Sequence, residues 1–109
     1  MSFHAPADVA TFAAEKMQKV NLYESPRLFC DVYALEPGQS QKAHSHADND
    51  KVYAVLTGSV RVDVGAESRV LGPGEVAVAP AGDDHAVHNE SDARATLLVV
   101  MAPHPSYGG

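Results

Sequence analysis

The stretch between Gly38 and Gly58, GQSQKAHSHADNDKVYAVLTG, places two histidines one residue apart and then a lysine before an alternating apolar run. Side chains of an extended chain alternate between two sides, so His44 and His46 share a face if the segment is a strand. Two imidazoles at this spacing can bind one ion from the same side. The pair alone is weak evidence, because a surface strand can carry two histidines with no chemical role.

Five segments of the chain have the β-branched, aromatic or alternating composition of strands. Turn-forming residues separate them at intervals of about ten positions. The pattern predicts an all-β fold, a compact antiparallel barrel or sandwich, with a short N-terminal extension. In that extension Asp8 is expected to cap a helix reaching Ala14, and residues 15–24 are expected to be extended. The five predicted strands are 27–36, 51–56, 59–64, 75–79 and 94–102.

The composition limits the classes of partner. A chain of 109 residues fits one domain, here 1–109. The net charge is -6, and lysine and arginine do not cluster, so we expect neither nucleic acid nor a membrane as a partner. The start has no basic segment followed by an apolar run, which favours a cytoplasmic protein. Cys30 is the only cysteine, so no disulfide can form within the chain.

A second segment, GEVAVAPAGDDHAVHN from Gly74 to Asn89, leads a strand into a proline–glycine turn and then a histidine. Together with the first segment it resembles the two conserved motifs of the cupin superfamily, here at 38–58 and 74–89. The matching positions are Gly38, His44, His46 and Gly58 in the first motif and Gly74, Pro80, Gly82, His85 and Asn89 in the second.

The resemblance implies a double-stranded β-helix barrel of jelly-roll type, commonly a homodimer, with a small-molecule ligand. It also implies one divalent transition metal (Zn, Fe, Ni, Mn or Cu) inside the barrel. His44, His46 and His85 occupy the positions of the family's three histidine ligands. The fourth ligand of the family is a glutamate, and this chain has Lys51 in its place.

Lys51 allows three interpretations. In the first, three histidines hold the metal, and the lysine stands aside or binds an anionic group, with Asp48, Asp50 or Glu75 as its partner. About 5 Å from a divalent ion, an ammonium meets about 6 to 7 kcal/mol of repulsion at a dielectric near 20. Deprotonation at pH 7 costs only about 4.6 kcal/mol, so a neutral amine is favoured there. At about 8 Å, where repulsion falls to about 4 kcal/mol, the charged form persists.

The second interpretation is a metal-free pocket in which Lys51 fills the space and an organic ligand binds. The third is a register slip that lets Asp48 or Asp50 replace the missing carboxylate. Asp50 faces the wrong side on a regular strand, because a shift of one residue reverses every side chain.

Two further side chains have alternative interpretations. Tyr53 lies two residues after Lys51, so on a strand both side chains point to the same side, and both are candidate catalytic residues lining the cavity. The alternative for Tyr53 is a purely structural role as a half-buried tyrosine of the barrel. His88 lies three residues after His85 and therefore points to the opposite face of a strand, where a structural hydrogen bond is expected.

Members of the superfamily include dioxygenases, isomerases, decarboxylases and binding modules, so the fold does not select a reaction. The chain lacks the motifs for phosphate loops, serine nucleophiles and dithiol redox chemistry. Two functions remain open. The first is a metal-dependent enzyme acting on a small organic molecule, and the second is a non-catalytic small-molecule binding module, with or without metal.

Overall fold

A computed structural model describes residues 3–106, which form one short helix and nine strands. The helix is α1 (Pro6–Val9), and no helix in this range is long and apolar enough to span a bilayer. The strands are β1 (Gln18–Ser25), β2 (Leu28–Leu35), β3 (Ser40–His44), β4 (Asp50–Thr57), β5 (Val60–Val64), β6 (Glu67–Leu71), β7 (Val76–Ala79), β8 (His85–His88) and β9 (Ala95–Ala102).

The strands form two antiparallel sheets. One has the order β1-β2-β9-β4-β7 and the other the order β3-β8-β5-β6. Apolar residues of β2, β4 and β9 belong to the same buried cluster as those of β5, β6 and β8, so the core lies between the sheets. This is the double-stranded β-helix, and the all-β fold prediction is confirmed.

Alternation along the strands determines which side chains enter the core. On β4, Lys51, Tyr53 and Val55 are buried while the residues between them are partly exposed. On β5, Val60 and Val62 are buried in the same way. Full burial of a valine or leucine side chain contributes about 1.5 to 3 kcal/mol, so these inward rows supply much of the driving force for folding.

Sequence patterns located five of the strands and the extended segment that contains β1, but not β3, β6 or β8. These three belong to the four-stranded sheet, and β3 and β6 are its edges. Most residues of β3 and β6 are exposed, and β8 has only four residues with a histidine at each end. The apolar alternation that identifies a half-buried strand is therefore absent from them.

The predicted helix is wrong in both its cap and its length. It begins with Pro6 at its first turn, no side chain caps it, and it ends at Val9 rather than Ala14. Asp8 lies within the first turn, where its backbone N–H donates to the carbonyl of Ala5. The proline starts the helix before Asp8, and Ala10 is already extended.

Candidate metal centre

His44, His46 and His85 lie together, with His85 buried and the other two partly buried. His44 ends β3, His46 follows in the next loop, and His85 begins β8. The strand register pairs His44 directly with His85. One ring nitrogen from each of the three histidines lies within 4.8 Å of the others. Neither Asp48 nor Asp50 belongs to this group.

A bulge in β3 turns His44 inward. Gln41 pairs with Val87 and His44 pairs with His85, so β3 has one more residue than β8 in this interval. On a regular strand, residues three apart would point to opposite faces. The extra residue resets the alternation, and both Gln41 and His44 are partly buried while the two residues between them are exposed.

The hydrogen bonds of two imidazoles fix which nitrogen carries a proton. Nδ1 of His44 lies 2.8 Å from the carbonyl oxygen of Lys42, and Nδ1 of His85 lies 3.1 Å from that of Asp83. A carbonyl can only accept, so both Nδ1 atoms donate. In the neutral rings each Nε2 therefore presents a lone pair, and the two Nε2 atoms lie 3.1 Å apart.

Two lone pairs at this separation repel each other unless a cation or a proton lies between them. The spacing fits a shared metal ion. Bonds of about 2.0–2.1 Å place two nitrogens about 2.8–3.0 Å apart at a right angle and about 3.3–3.4 Å apart at a tetrahedral angle. The observed 3.1 Å lies between these values. Backbone carbonyls holding the remote nitrogen are also the usual support of metal-binding histidines.

His46 completes the group from a loop rather than a strand. Its ring centroid lies 5.1 Å from that of His44 and 5.8 Å from that of His85. The loop is held against the second motif, because the N–H of Gly82 donates to the carbonyl of His46 at 2.8 Å. Gly82 has φ +91, a conformation that suits glycine.

The surroundings favour neutral imidazoles, the form that binds metal. Burial lowers the pKa of His85 to about 4, and the neighbouring histidines and Lys51 act in the same direction. Burial also lowers the pKa of His44 and of His46, with further lowering by nearby cationic side chains.

Lys51 lies within the barrel next to this group, with only 1% of its surface exposed. Burial, with a contribution from Lys19, lowers the pKa of Lys51 to about 7. Its Nζ lies 3.4 Å from Oε1 of Gln41. It also lies over the rings of Tyr33 and Tyr53, 5.4 and 5.1 Å from their centroids.

The prediction of a carboxylate partner for Lys51 is wrong. Among residues 3–106 no carboxylate lies within ion-pair distance of its ammonium. Asp50 accepts a hydrogen bond from the N–H of Ala81, and Glu75 accepts one from the N–H of Gly72. Both carboxylates therefore stabilise turns of the second motif.

Gln41 and Tyr33 are residues of the site that the sequence patterns did not identify. Oε1 of Gln41 accepts a hydrogen bond from the hydroxyl of Tyr53 at 3.1 Å, and its Nε2 donates to the hydroxyl of Tyr33 at 3.3 Å. Both tyrosines are buried, and burial raises the pKa of Tyr33 to about 12 and that of Tyr53 further. The Gln41 amide thus connects the two hydroxyls with Lys51.

His88 points away from this interior, as its spacing from His85 predicts. Its Nδ1 lies 2.9 Å from the hydroxyl of Ser40, and its Nε2 lies 3.2 Å from Oδ2 of Asp63. Asp63 also accepts hydrogen bonds from Arg61 and Ser68. This polar network links β3, β8, β5 and β6 on the outer face, so the structural role expected for His88 is confirmed.

Comparisons with known proteins agree with the fold and with the two motifs. The family model described as cupin domain matches residues 31–101. An uncharacterized protein of Streptomyces coelicolor is 35% identical over 72 residues, which are 66% of this chain and 68% of that protein.

Two solved structures have the same fold. The TT1209 protein of Thermus thermophilus is 48% identical, with a TM-score of 0.93, over 96% of this chain and 100% of that chain. A cupin-superfamily sugar phosphate isomerase of Silicibacter pomeroyi is 27% identical, with a TM-score of 0.74, over 81% of this chain and 60% of that chain.

The barrel and its cluster of three histidines define a protein of the cupin class. With the family match covering residues 31–101, the chain belongs to the cupin family.

Proposed function

We propose that the protein binds one divalent transition-metal ion through His44, His46 and His85, and that a small organic molecule binds in the open coordination positions. The observation that carries this proposal is the 3.1 Å separation between the Nε2 atoms of His44 and His85. Both Nδ1 atoms are held by backbone carbonyls, so Nε2 is the free ring nitrogen of each histidine. The close approach of two lone pairs is unfavourable unless a cation or a proton lies between them, and burial, which lowers the pKa of His85 to about 4, disfavours the proton at neutral pH.

The donor set limits the metal and leaves space for a ligand. Imidazole nitrogens suit Zn, Fe, Ni and Cu, and Mn accepts them with added oxygen ligands. Three protein ligands leave at least one open position, as in catalytic zinc sites. Because Lys51 replaces the family's glutamate, the protein contributes no negative charge to the ion. The centre therefore favours an oxygen ligand that brings its own negative charge.

Lys51 gives the site its capacity for proton transfer, and Tyr53 positions a neighbouring group. The bound ion would act as a Lewis acid on an oxygen of the ligand. An amine with a pKa of about 7 is a competent acid or base at neutral pH, so Lys51 would take a proton from the ligand or return one. Tyr53 would keep the amide of Gln41 oriented toward that amine. Isomerisation and decarboxylation need such proton steps, and the sugar phosphate isomerase of Silicibacter pomeroyi has the same fold.

The second candidate is a binding module without turnover. It is favoured by the packing at Lys51, because this side chain and Tyr53 are 1% and 0% exposed and together fill the interior beside the histidines. A ligand would then reach only the exposed side of the histidine group. In the metal-free form of this candidate, Lys51 occupies the space that a metal-bound substrate would need.

Elemental analysis of the purified protein after dialysis against each metal would test metal binding. His85→Ala is the test variant and His88→Ala the control, because both alter β8 histidines but only His85 faces the centre. We expect about one metal ion per chain in the wild type and in His88→Ala, and almost none in His85→Ala. Equal metal content in the two variants would contradict the proposal.

Turnover would then separate the two candidates. Oxygen uptake and product formation can be followed with a panel of diketones, hydroxy acids and small thiols, using the metal-loaded protein. Product formation by the wild type that is lost in Lys51→Met would support the enzyme. Saturable ligand binding with no product in the wild type or in any variant would support the binding module.

A further inference from the structure

We propose that the ligand carries an oxyanion group, a carboxylate or a phosphate, that binds between the ammonium groups of Lys19 and Lys51. The inference rests on the proposed function in one respect, which is that the same ligand reaches the histidine centre. The binding of the anionic group itself depends only on the two lysines.

The two lysines approach one aromatic ring from different strands. Lys19 lies on β1 and pairs with Tyr33 on β2. Its Nζ lies 5.3 Å from the centroid of the Tyr33 ring, and Nζ of Lys51 lies 5.4 Å from the same centroid. The two ammonium groups are therefore no farther apart than the sum of these distances. The two ammonium groups repel each other when both are charged, and an anion between them would stabilise both.

In the described part of the chain, neither lysine forms an ion pair. Within residues 3–106 no Asp or Glu lies within ion-pair distance of either ammonium. The negative charge of Asp31 acts to raise the pKa of Lys51, but Oδ1 of Asp31 accepts a hydrogen bond from Asn21 at 2.8 Å. Lys51 is 1% exposed, and its hydrogen bond to Gln41 is long, at 3.4 Å. A buried amine with three donors and so little compensation readily loses its proton, and an anionic ligand would stabilise its protonated form.

An open cleft is lined by Lys19 and by Gln41, whose amide contacts Lys51. Its volume is about 470 Å³, and its lining comes from the segment that enters β1 and from the start of β3. These are edge strands of the two sheets, so the cleft lies where the sheets separate. The lining residues are Lys16, Met17, Gln18, Lys19, Ser40 and Gln41.

Gln41 connects the cleft with the interior. It lines the cleft, and its side-chain amide also contacts Lys51, Tyr53 and Tyr33. Lys16 and Lys19 are exposed and Gln41 is partly buried, so the two lysines are the more accessible to a ligand that enters the cleft. Displacement of the Gln41 amide would open the way to Lys51. The cleft is cationic although the whole chain has a net charge of -6, so it would concentrate small anions locally.

The volume of the cleft suits a small molecule rather than a polymer. The Tyr53 ring lies between the two parts of the site in distance terms: its centroid is 5.1 Å from Nζ of Lys51 and 6.0 Å from the centroid of the His85 ring. A small molecule whose anionic group binds at the lysines would therefore need a second oxygen to reach the histidines. Small hydroxy acids, keto acids and phosphorylated compounds have this pair of groups.

Isothermal titration calorimetry with malonate, inorganic phosphate and neutral malonamide would test the inference, on zinc-loaded protein and on metal-free protein. The variants are Lys19→Met, Lys19→Arg and the control Lys42→Met, an exposed lysine of β3 that does not line the cleft. We expect malonate or phosphate to bind and malonamide not to bind. Binding should weaken at least about tenfold in Lys19→Met, a loss of about 1.4 kcal/mol. It should change less than about twofold in Lys42→Met, and Lys19→Arg, which keeps the positive charge, should bind more tightly than Lys19→Met.

The outcomes separate this inference from the proposed function. Tight malonamide binding, or equal losses in Lys19→Met and Lys42→Met, would overturn the anion site. If zinc does not bind but malonate or phosphate binding still depends on Lys19, the anion site stands and the metal centre is wrong. If zinc binds with the expected stoichiometry and neither anion depends on Lys19, the metal centre stands and the anion site is wrong. The preference between malonate and phosphate identifies the oxyanion.

Discussion

Nε2 of His44 lies 3.1 Å from Nε2 of His85, although the two residues are 41 positions apart in the chain. The contact depends on two features of the fold. Antiparallel pairing places the end of β3 opposite the start of β8, and the bulge between Gln41 and His44 turns the first imidazole inward. The backbone carbonyls of Lys42 and Asp83 then orient both rings. The site is therefore organised by backbone geometry before any ion binds.

Restoring an acidic residue at position 51 should strengthen metal binding. Lys51→Glu replaces an amine with a carboxylate beside three neutral imidazoles, at the position where the cupin family has its fourth ligand. A unit charge 5 to 8 Å from a divalent ion interacts with it by about 4 kcal/mol or more at a dielectric near 20. We therefore expect the affinity for Zn²⁺ to rise at least about tenfold. Competition with a chelating dye would measure it.

Lys51→Met is the control for that variant, because it removes the amine without adding a carboxylate. It should raise the affinity for zinc less than Lys51→Glu does. Weaker zinc binding in Lys51→Glu than in the wild type would show that the lysine supports the centre, contrary to this expectation.

Lys51 should also make the stability of the metal-free protein depend on pH. Its pKa is 10.5 in the unfolded chain and about 7 in the folded protein, so between these values the unfolded chain binds more protons. The contribution to unfolding free energy therefore rises with pH in this window, by about 1.4 kcal/mol per unit. Lys51→Met lacks this dependence.

Urea denaturation of both proteins at pH 7.5 and pH 9 would measure the effect. Lys51→Met should be the more stable at pH 7.5, and its advantage should shrink by about 2 kcal/mol at pH 9. An advantage that is the same at both values would contradict the low pKa of this buried amine.

Asp63 should stabilise the outer face of the four-stranded sheet at neutral pH. Hydrogen bonds from Ser68 and Arg61 hold the pKa of Asp63 below its ordinary value of 3.8. The stabilisation is therefore complete above that value and is lost as the pH falls through the lower folded-state pKa. Asp63→Asn should cost about 1 kcal/mol at pH 7, because the group is partly exposed and screened by solvent.

Thermal unfolding at pH 7 and pH 3 would show whether the cost of Asp63→Asn shrinks in acid. Glu67→Gln, at an exposed position on the neighbouring β6, is the control and should have a smaller effect at both values. A cost for Asp63→Asn that does not depend on pH would mean that the charge of this carboxylate is irrelevant.

Two glycines of the first motif should differ in their tolerance of a methyl group. Both have positive φ, +87 at Gly38 and +75 at Gly58. A Cβ at Gly38 would meet nothing within 4 Å, whereas a Cβ at Gly58 would collide with the carbonyl oxygen of Arg94 and lie 2.9 Å from Cα of Ala95.

Gly38→Ala should therefore cost about 1 to 2 kcal/mol, the strain of the left-handed conformation. Gly58→Ala should cost at least about 2 kcal/mol more, because the backbone of β9 must move. Denaturant midpoints of the two variants would provide the comparison. Equal losses would contradict the close approach of Gly58 to β9.

The sequence predicted the parts of the structure that follow from local pattern. Alternation in β4 placed Lys51 and Tyr53 on one inner row, and the odd spacing of His88 from His85 placed them on opposite faces. The resemblance to the two cupin motifs implied the barrel and identified three histidines that the fold brings together.

Features that depend on pairing between distant segments were not predictable in this way. The bulge in β3 arises from its register with β8, so Gln41 gave no signal as an inward residue. In the part of the chain that the structure describes, Asp50 and Glu75 are not carboxylate partners of Lys51, because they accept hydrogen bonds from the N–H groups of Ala81 and Gly72. Lys19 lies outside both motifs, and only the pairing of β1 with β2 places it beside Tyr33.

The most direct test of the metal centre is anomalous diffraction from crystals soaked with Zn²⁺, Ni²⁺ or Mn²⁺ and measured on both sides of the metal's absorption edge. We predict one strong anomalous peak per chain, about 2.0 to 2.2 Å from Nε2 of His44, Nε2 of His85 and a ring nitrogen of His46. Anomalous density only at other positions, or none near these rings at millimolar metal, would contradict the proposal that the three histidines bind one ion.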